Sequence, residues 1–310
     1  MISIVWTRRA ALALICGTAA LVAACGSSVY HALKPTRFIS VGDGFADVGQ
    51  NGYRFTINDG SDNWTQQLAI NYGLKLASSK QDGWSYAQGH ARVATPDTTS
   101  GTNAPSVQQQ IDTLLARVTF TDTDIVLVGG GIDDIVAAVN ATGIGNQTTT
   151  AVQAAGTALG EQVNRLVKAG ATHVVVAGVY NLGISPWARA LNQSKDENKD
   201  ITKLADTFNS ALKQVIVKQG DKVLYVDTAL LFNLVYNGKY VDHVTDPVCA
   251  TPDVTTCTND TLIASSDPNK PTDPATYLFA DSLYLTPNAQ RFFASDSYSQ
   301  SAYSVLKDRW

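Results

Sequence analysis

Apolar and polar positions alternate along this chain in two rhythms. Short, nearly continuous apolar runs rich in β-branched residues fall at 37–42, 124–129, 173–179 and 222–227, as expected of strands buried on both faces. Longer stretches with helical spacing fall at 63–72, 107–117, 150–169, 201–219 and 287–306. Strands separated by helices imply right-handed βαβ units and a parallel sheet. The expected fold class is α/β, a three-layer α/β/α sandwich with a central, mostly parallel sheet. Residues 95–103 and 246–274 are rich in Thr, Asp, Asn, Gly and Pro and read as long surface loops. No repeat and no inter-domain linker is visible, so one domain is expected over 35–310.

Ligands of open α/β sheets collect at the carboxyl ends of the strands. Three turns fall there: Gly42-Asp43-Gly44, Gly129-Gly130-Gly131-Ile132-Asp133-Asp134 and Tyr180-Asn181-Leu182-Gly183. Neither dinucleotide nor P-loop spacing is present, so these glycines do not imply a nucleotide. Nothing in the pattern implies a cofactor or a metal.

The 310 residues are 45% hydrophobic and 16% charged, enough for a substantial core. The formal charge is −4, with no basic run, which argues against nucleic acid as a partner. Arg8-Arg9 precedes an apolar run from Ala10 to Ala24, too short for a comfortable membrane span. The run ends in Leu21-Val22-Ala23-Ala24-Cys25-Gly26-Ser27-Ser28, which resembles a bacterial lipobox. That resemblance implies a signal peptide over 1–24, a lipidated Cys25 and a tether over 25–34. The acyl chains would anchor the protein to a membrane, and the absence of aspartate after Cys25 points to the outer membrane. The alternative is an ordinary secretory signal with an incidental cysteine. Removing 1–24 also removes Arg8 and Arg9, leaving 21 basic against 27 acidic residues. Of the four cysteines, Cys16 leaves with the signal and Cys25 takes lipid. Cys249 and Cys257 remain in an exported protein and are expected to form a disulfide across a short polar loop. A zinc pair lacks neighbouring ligands.

Four segments carry candidate chemistry: Gly42-Asp43-Gly44-Phe45-Ala46-Asp47-Val48-Gly49, Ser85-Tyr86-Ala87-Gln88-Gly89-His90-Ala91, Gly131-Ile132-Asp133-Asp134, and Asp281-Ser282-Leu283-Tyr284-Leu285-Thr286-Pro287. Their order and spacing resemble the SGNH/GDSL hydrolases, in the bacterial lipase/esterase branch, over roughly residues 36–306. The resemblance implies a flavodoxin-like fold and an ester-hydrolysing ancestry. It also implies that each signature position is replaced. Gly44 stands where the family has its nucleophilic serine, and His90 where it has an oxyanion glycine. Asp133 replaces the oxyanion asparagine and Tyr284 the base histidine, while Asp281 keeps the place of the orienting aspartate.

Each replacement opposes ester chemistry. Glycine has no attacking atom. A carboxylate at 133 accepts hydrogen bonds and repels a developing oxyanion, where an amide would donate. A phenol with an ordinary pKa near 10 is a poor base at neutrality. Each residue also has a plain structural reading: His90 as a loop residue, Asp133 as a helix cap, Tyr284 as a packing aromatic. Ser40 lies inside a strand, and Ser282 in Ala280-Asp281-Ser282-Leu283 has no histidine after it. Neither is a convincing nucleophile.

The sequence thus favours an envelope lipoprotein with no intact catalytic set, acting by binding an acylated glycan, a lipid or an envelope protein. An alternative is an active carboxylic-ester hydrolase or acyltransferase built around His90 and Asp133. A third is a structural envelope protein without a ligand.

Overall fold

The computed structural model describes residues 33–98, 100–191, 195–238, 240–295 and 297–310. The expected signal peptide over 1–24, Cys25 and most of the expected tether over 25–34 lie outside the described residues. Leu33–Arg309 forms one compact unit. Among the described residues no helix is long and apolar enough to cross a membrane.

Four parallel strands form the central sheet: β1 (Arg37–Val41), β2 (Asp124–Val128), β3 (Val174–Ala177) and β4 (Val223–Val226), in the order β1-β2-β3-β4. The register pairs Phe38 with Ile125, Val126 with Val174 and Val174 with Val223. β2 and β3 are buried along their whole length, which is what their continuous apolar composition requires. On the open side of β1 the backbone of Ser85 bridges Ser40 in parallel, with Ser40 N donating to Trp84 O at 3.0 Å and Tyr86 N to Ser40 O at 2.7 Å.

Helices cover both faces. On one lie α1 (Trp64–Asn71), α7 (Thr228–Gly238), α8 (Pro287–Ala294) and α9 (Ala302–Arg309), packed on one another. The other carries α2 (Val107–Arg117), α3 (Ile132–Thr142), α4 (Asn146–Lys168) and α6 (Lys195–Ile216), with the short α5 (Pro186–Leu191) against α6. The result is a three-layer α/β/α sandwich around a parallel sheet. Capping boxes fix two helix starts: Asn63 with Gln66 for α1, and Ser106 with Gln109 for α2.

The chain departs from its sequence pattern in a few places. The expected helix over 287–306 is two helices, α8 and α9. Ser295 C-caps the first, and Ser301 accepts from Ser304 N at 3.1 Å to open the second. Serines compete for backbone groups and so favour caps over helix interiors. The helix expected from 201 begins earlier, at Lys195. The sequence pattern predicts no helix at α7, whose largely apolar sequence shows little helical periodicity. The loop expected over 246–274 contains the end of β5 (His243–Pro247), which pairs in parallel with β6 (Tyr277–Phe279) as a separate two-stranded sheet. Short 3₁₀ turns occupy Val254–Thr256 and Asn259–Thr261.

Cys249 and Cys257 are disulfide-bonded with Cα atoms 5.8 Å apart. The bridge closes the turn that carries Val254, whose carbonyl accepts from Asn58 Nδ2 at 3.2 Å. By the loop-entropy relation it contributes about 2.5 kcal/mol. Cys249→Ala/Cys257→Ala is expected to lower the unfolding free energy by that order in denaturant melts; an unchanged midpoint would show that the bridge constrains nothing.

The site lies where strand order reverses. From β1 the chain first crosses to the Ser85 side, then returns through α2 to place β2 on the other side. The crevice at the carboxyl ends of β1 and β2 is therefore the topological switch point of the sheet, the usual ligand position in such folds.

Candidate functional site: a filled crevice at the switch point

Gly42-Asp43-Gly44 follows β1, and Gly129–Gly131 follows β2 into α3. Asp43 ties the two turns together. Its Oδ1 accepts from Phe45 N at 3.1 Å, and its Oδ2 from Ile132 N, the first residue of α3, at 3.2 Å. A helix N-terminus favours a carboxylate, but complete burial and the nearby Asp133 prevail, and the pKa of Asp43 rises from 3.8 to about 7. Asp134 Oδ2 accepts from Val93 N at 2.9 Å, and burial again raises its pKa to about 7. Asp47 holds the turn below His90 by accepting from Gly89 N at 2.9 Å, and its pKa is raised by burial. These aspartates act as clamps on backbone N–H groups.

Gly44, His90, Asp133 and Tyr284 converge in space. Tyr284 Oη is 3.4 Å from Asp133 Oδ2, and Asp133 Oδ1 is 3.7 Å from His90 Nδ1. The second distance is an ion-pair contact, too long for a hydrogen bond. The Asp133 carboxylate raises the pKa of His90 against the opposing effect of partial burial. His90 sits at φ 66°, in the left-handed region that β-carbon-bearing residues avoid at a cost of order 1–3 kcal/mol.

Asp133 does not cap α3. The N-cap is Gly131, without any side-chain hydrogen bond, and Asp133 lies in the first turn. It thereby faces His90 and Tyr284. Asp281 stays close to Tyr284 but clamps its own turn, its Oδ1 accepting from Leu283 N at 2.9 Å and Tyr284 N at 2.5 Å. Burial raises its pKa to about 6.

Three residues to which the sequence assigned no role complete the site. Phe55 stacks edge-on against both His90 and Tyr284, each with ring centroids 5.0 Å apart. Tyr180 donates to Leu283 O at 2.6 Å and so fixes the Tyr284 turn from below. Asp134 is the third. The available signal for Phe55 was only an aromatic between Gly52 and Gly60, which does not distinguish a core residue from a plug.

Phe55 and Tyr284 fill the space over Gly44. A Cβ on Gly44 would lie 2.8 Å from Phe55 Cγ, 2.8 Å from Tyr284 Oη and 2.9 Å from Tyr284 Cε1. A Cβ on Gly89 would run into the same Phe55 ring. The two glycines form a notch that receives Phe55. Tyr284 is 3% exposed, and burial carries its pKa well above the ordinary value. Nearby, a small pocket lined by Asp43, Trp64, Gly130 and Val179 has a volume of about 10 Å³, the size of a single water at most.

The other candidates are apart from this cluster. Ser40 is fully buried within β1, and its hydroxyl has no hydrogen-bond partner. His243 stacks on Tyr277 at 4.1 Å. Among the described residues no group of three or more His, Cys, Asp or Glu side chains is placed to hold a metal ion.

No protein-family model and no curated protein matches the chain. Among solved structures, it is similar to an extracellular lipase from Streptomyces rimosus, at 15% identity and a TM-score of 0.41, over 89% of this chain and 100% of that one. It is also similar to phospholipase A1 from Streptomyces albidoflavus NA297, with the same identity and TM-score, over 88% of this chain and 98% of that one.

Proposed function

We propose that this chain is an SGNH-type scaffold whose hydrolytic centre has been filled in, and that it works by binding at the bacterial envelope. The observation that carries this reading is the plug. A serine at 44 would need space that Phe55 and Tyr284 already occupy. The carboxylate of Asp133 stands where an oxyanion donor would be needed, and a phenol with a raised pKa stands where a base would be needed. The lipobox resemblance at Cys25 supports a lipid-anchored protein, held at the outer membrane. With Phe55 and Tyr284 filling the space over Gly44, an envelope protein is a better ligand for that face than an acyl chain.

The test is p-nitrophenyl ester hydrolysis. The native protein is expected to match a heat-inactivated control. Restoring Gly44→Ser, His90→Gly, Asp133→Asn and Tyr284→His is expected to need Phe55→Ala as well before turnover appears. Hydrolysis by the native protein above the control would overturn the reading.

One observation favours the alternative of an active ester hydrolase or acyltransferase. His90 is about a third exposed beside Asp133, so it could present an imidazole to a water at the crevice mouth. Its raised pKa works against this, since an imidazolium cannot accept a proton. Should native activity be found, its loss in His90→Ala would assign it to this pair, and its survival would remove the pair from the mechanism.

A further inference from the structure

A surface groove with a volume of about 510 Å³ lies away from the switch point, between α1 and α8. That volume lies within the range of small-ligand sites. Its walls continue the two segments that carry the plug: Ile57 lies two residues after Phe55, and Pro287 three after Tyr284. Thr56 Oγ1 donates to Leu285 O at 2.7 Å and locks these segments together.

Three amide side chains line the groove, and each donates its NH₂ to a wall carbonyl. Gln67 Nε2 reaches Asp62 O at 2.5 Å, Asn71 Nδ2 reaches Ala294 O at 2.7 Å, and Asn288 Nδ2 reaches Ala275 O at 2.7 Å. These bonds fix the amides and use one N–H each of Asn71 and Asn288, leaving the amide oxygens as acceptors and the second N–H groups as donors. The side chains of Asp62 and Arg291 also line the groove, and the two make no ion pair with each other. Exposed Ile70, 53% accessible, adds an apolar surface beside these polar groups.

A ligand suited to this lining brings many hydroxyls that both donate and accept, can also accept from one guanidinium, and has an apolar C–H face. Carboxylate, amide and guanidinium groups are planar and pair well with vicinal hydroxyls. We propose that this groove binds a saccharide. The site is separate from the Gly44–Tyr284 cluster, and the inference stands whether or not that cluster hydrolyses esters.

Ligand-observed saturation-transfer NMR on the purified full chain tests it, with chitotetraose, cellotetraose and maltotetraose as probes at about 10 mM, enough to populate a site with Kd of order 1 mM. Transfer to at least one saccharide is expected in the native protein. It should fall at least about fivefold in Arg291→Ala and in Asn288→Ala, a loss of about 1 kcal/mol, and persist in Tyr284→Phe. The Arg291 side chain is exposed and makes no hydrogen bond or ion pair, so its replacement by alanine, which keeps the backbone bond to Ser295 N, should leave the thermal melt unchanged. Absence of transfer to all three probes overturns the proposal. So does transfer indifferent to Arg291→Ala and Asn288→Ala, and so does displacement of the saccharide by putrescine at equal concentration, which would mark the groove as a cation site.

Discussion

Raising the pH from about 5 to about 8 is expected to lower the stability of this protein by several kcal/mol. Asp43 and Asp134 have pKa values raised from 3.8 to about 7, and Asp281 from 3.8 to about 6, each first by burial. Between these values the folded chain holds protons that the unfolded chain has released. Stability is therefore fully present below about pH 4 and is lost as the pH rises through the folded values. Asp47 and His90, both raised, act in the same direction. His173, lowered by burial, opposes them through the protonation range of an ordinary histidine. At about 2–4 °C per kcal/mol, Tm should be roughly 10 °C lower near pH 8 than near pH 5. Asp134→Asn keeps an oxygen for Val93 N and carries no charge, so it should flatten the slope and gain stability at alkaline pH. Thermal melts showing equal or higher Tm at pH 8 would mean that these carboxyls titrate normally.

Gly44→Ser made alone is expected to destabilise the fold by about 1–3 kcal/mol, the usual cost of overpacking, and to yield no esterase. Its Cβ would press on Phe55 and Tyr284, both packed in the notch. The same substitution should cost less where Phe55→Ala and Tyr284→His have already cleared the space. Coupling of this kind between residues in contact is 0.5–3 kcal/mol in general. Denaturant melts of the single, background and combined variants measure it directly. If Gly44→Ser costs the same in both backgrounds, the plug is not what excludes a side chain at 44, and the glycine has another cause.

The fold class was largely legible. The four apolar runs lie close to the four strands of the sheet because a strand covered on both faces must be apolar at every position. The helical spacing over 107–117 coincides with Val107–Arg117, because its amphipathic stripe sets the period and the Ser106–Gln109 capping box found in the structure fixes its start. α7 and the split between α8 and α9 were not legible. The first is largely apolar and shows little periodicity, and the second turns on the backbone bonds that Ser295 and Ser301 make. The disulfide follows from counting the cysteines that remain if the expected signal peptide is removed.

At the site, the sequence by itself determined chemical identities: no hydroxyl at 44, a charge at 133, a phenol at 284, an imidazole at 90. Those facts follow from residue type and require no coordinates. Only the tertiary structure decided that these four residues meet, that Asp133 faces them instead of capping its helix, and that Phe55 closes the crevice. Phe55 lies 11 residues from Gly44, 35 from His90 and 229 from Tyr284 in the chain. Its role depends on the shape of a notch built from two glycines on different loops. Residue type sets which reactions are open to a position, whereas filled or empty space is a property of packing between distant segments, and no local pattern encodes it.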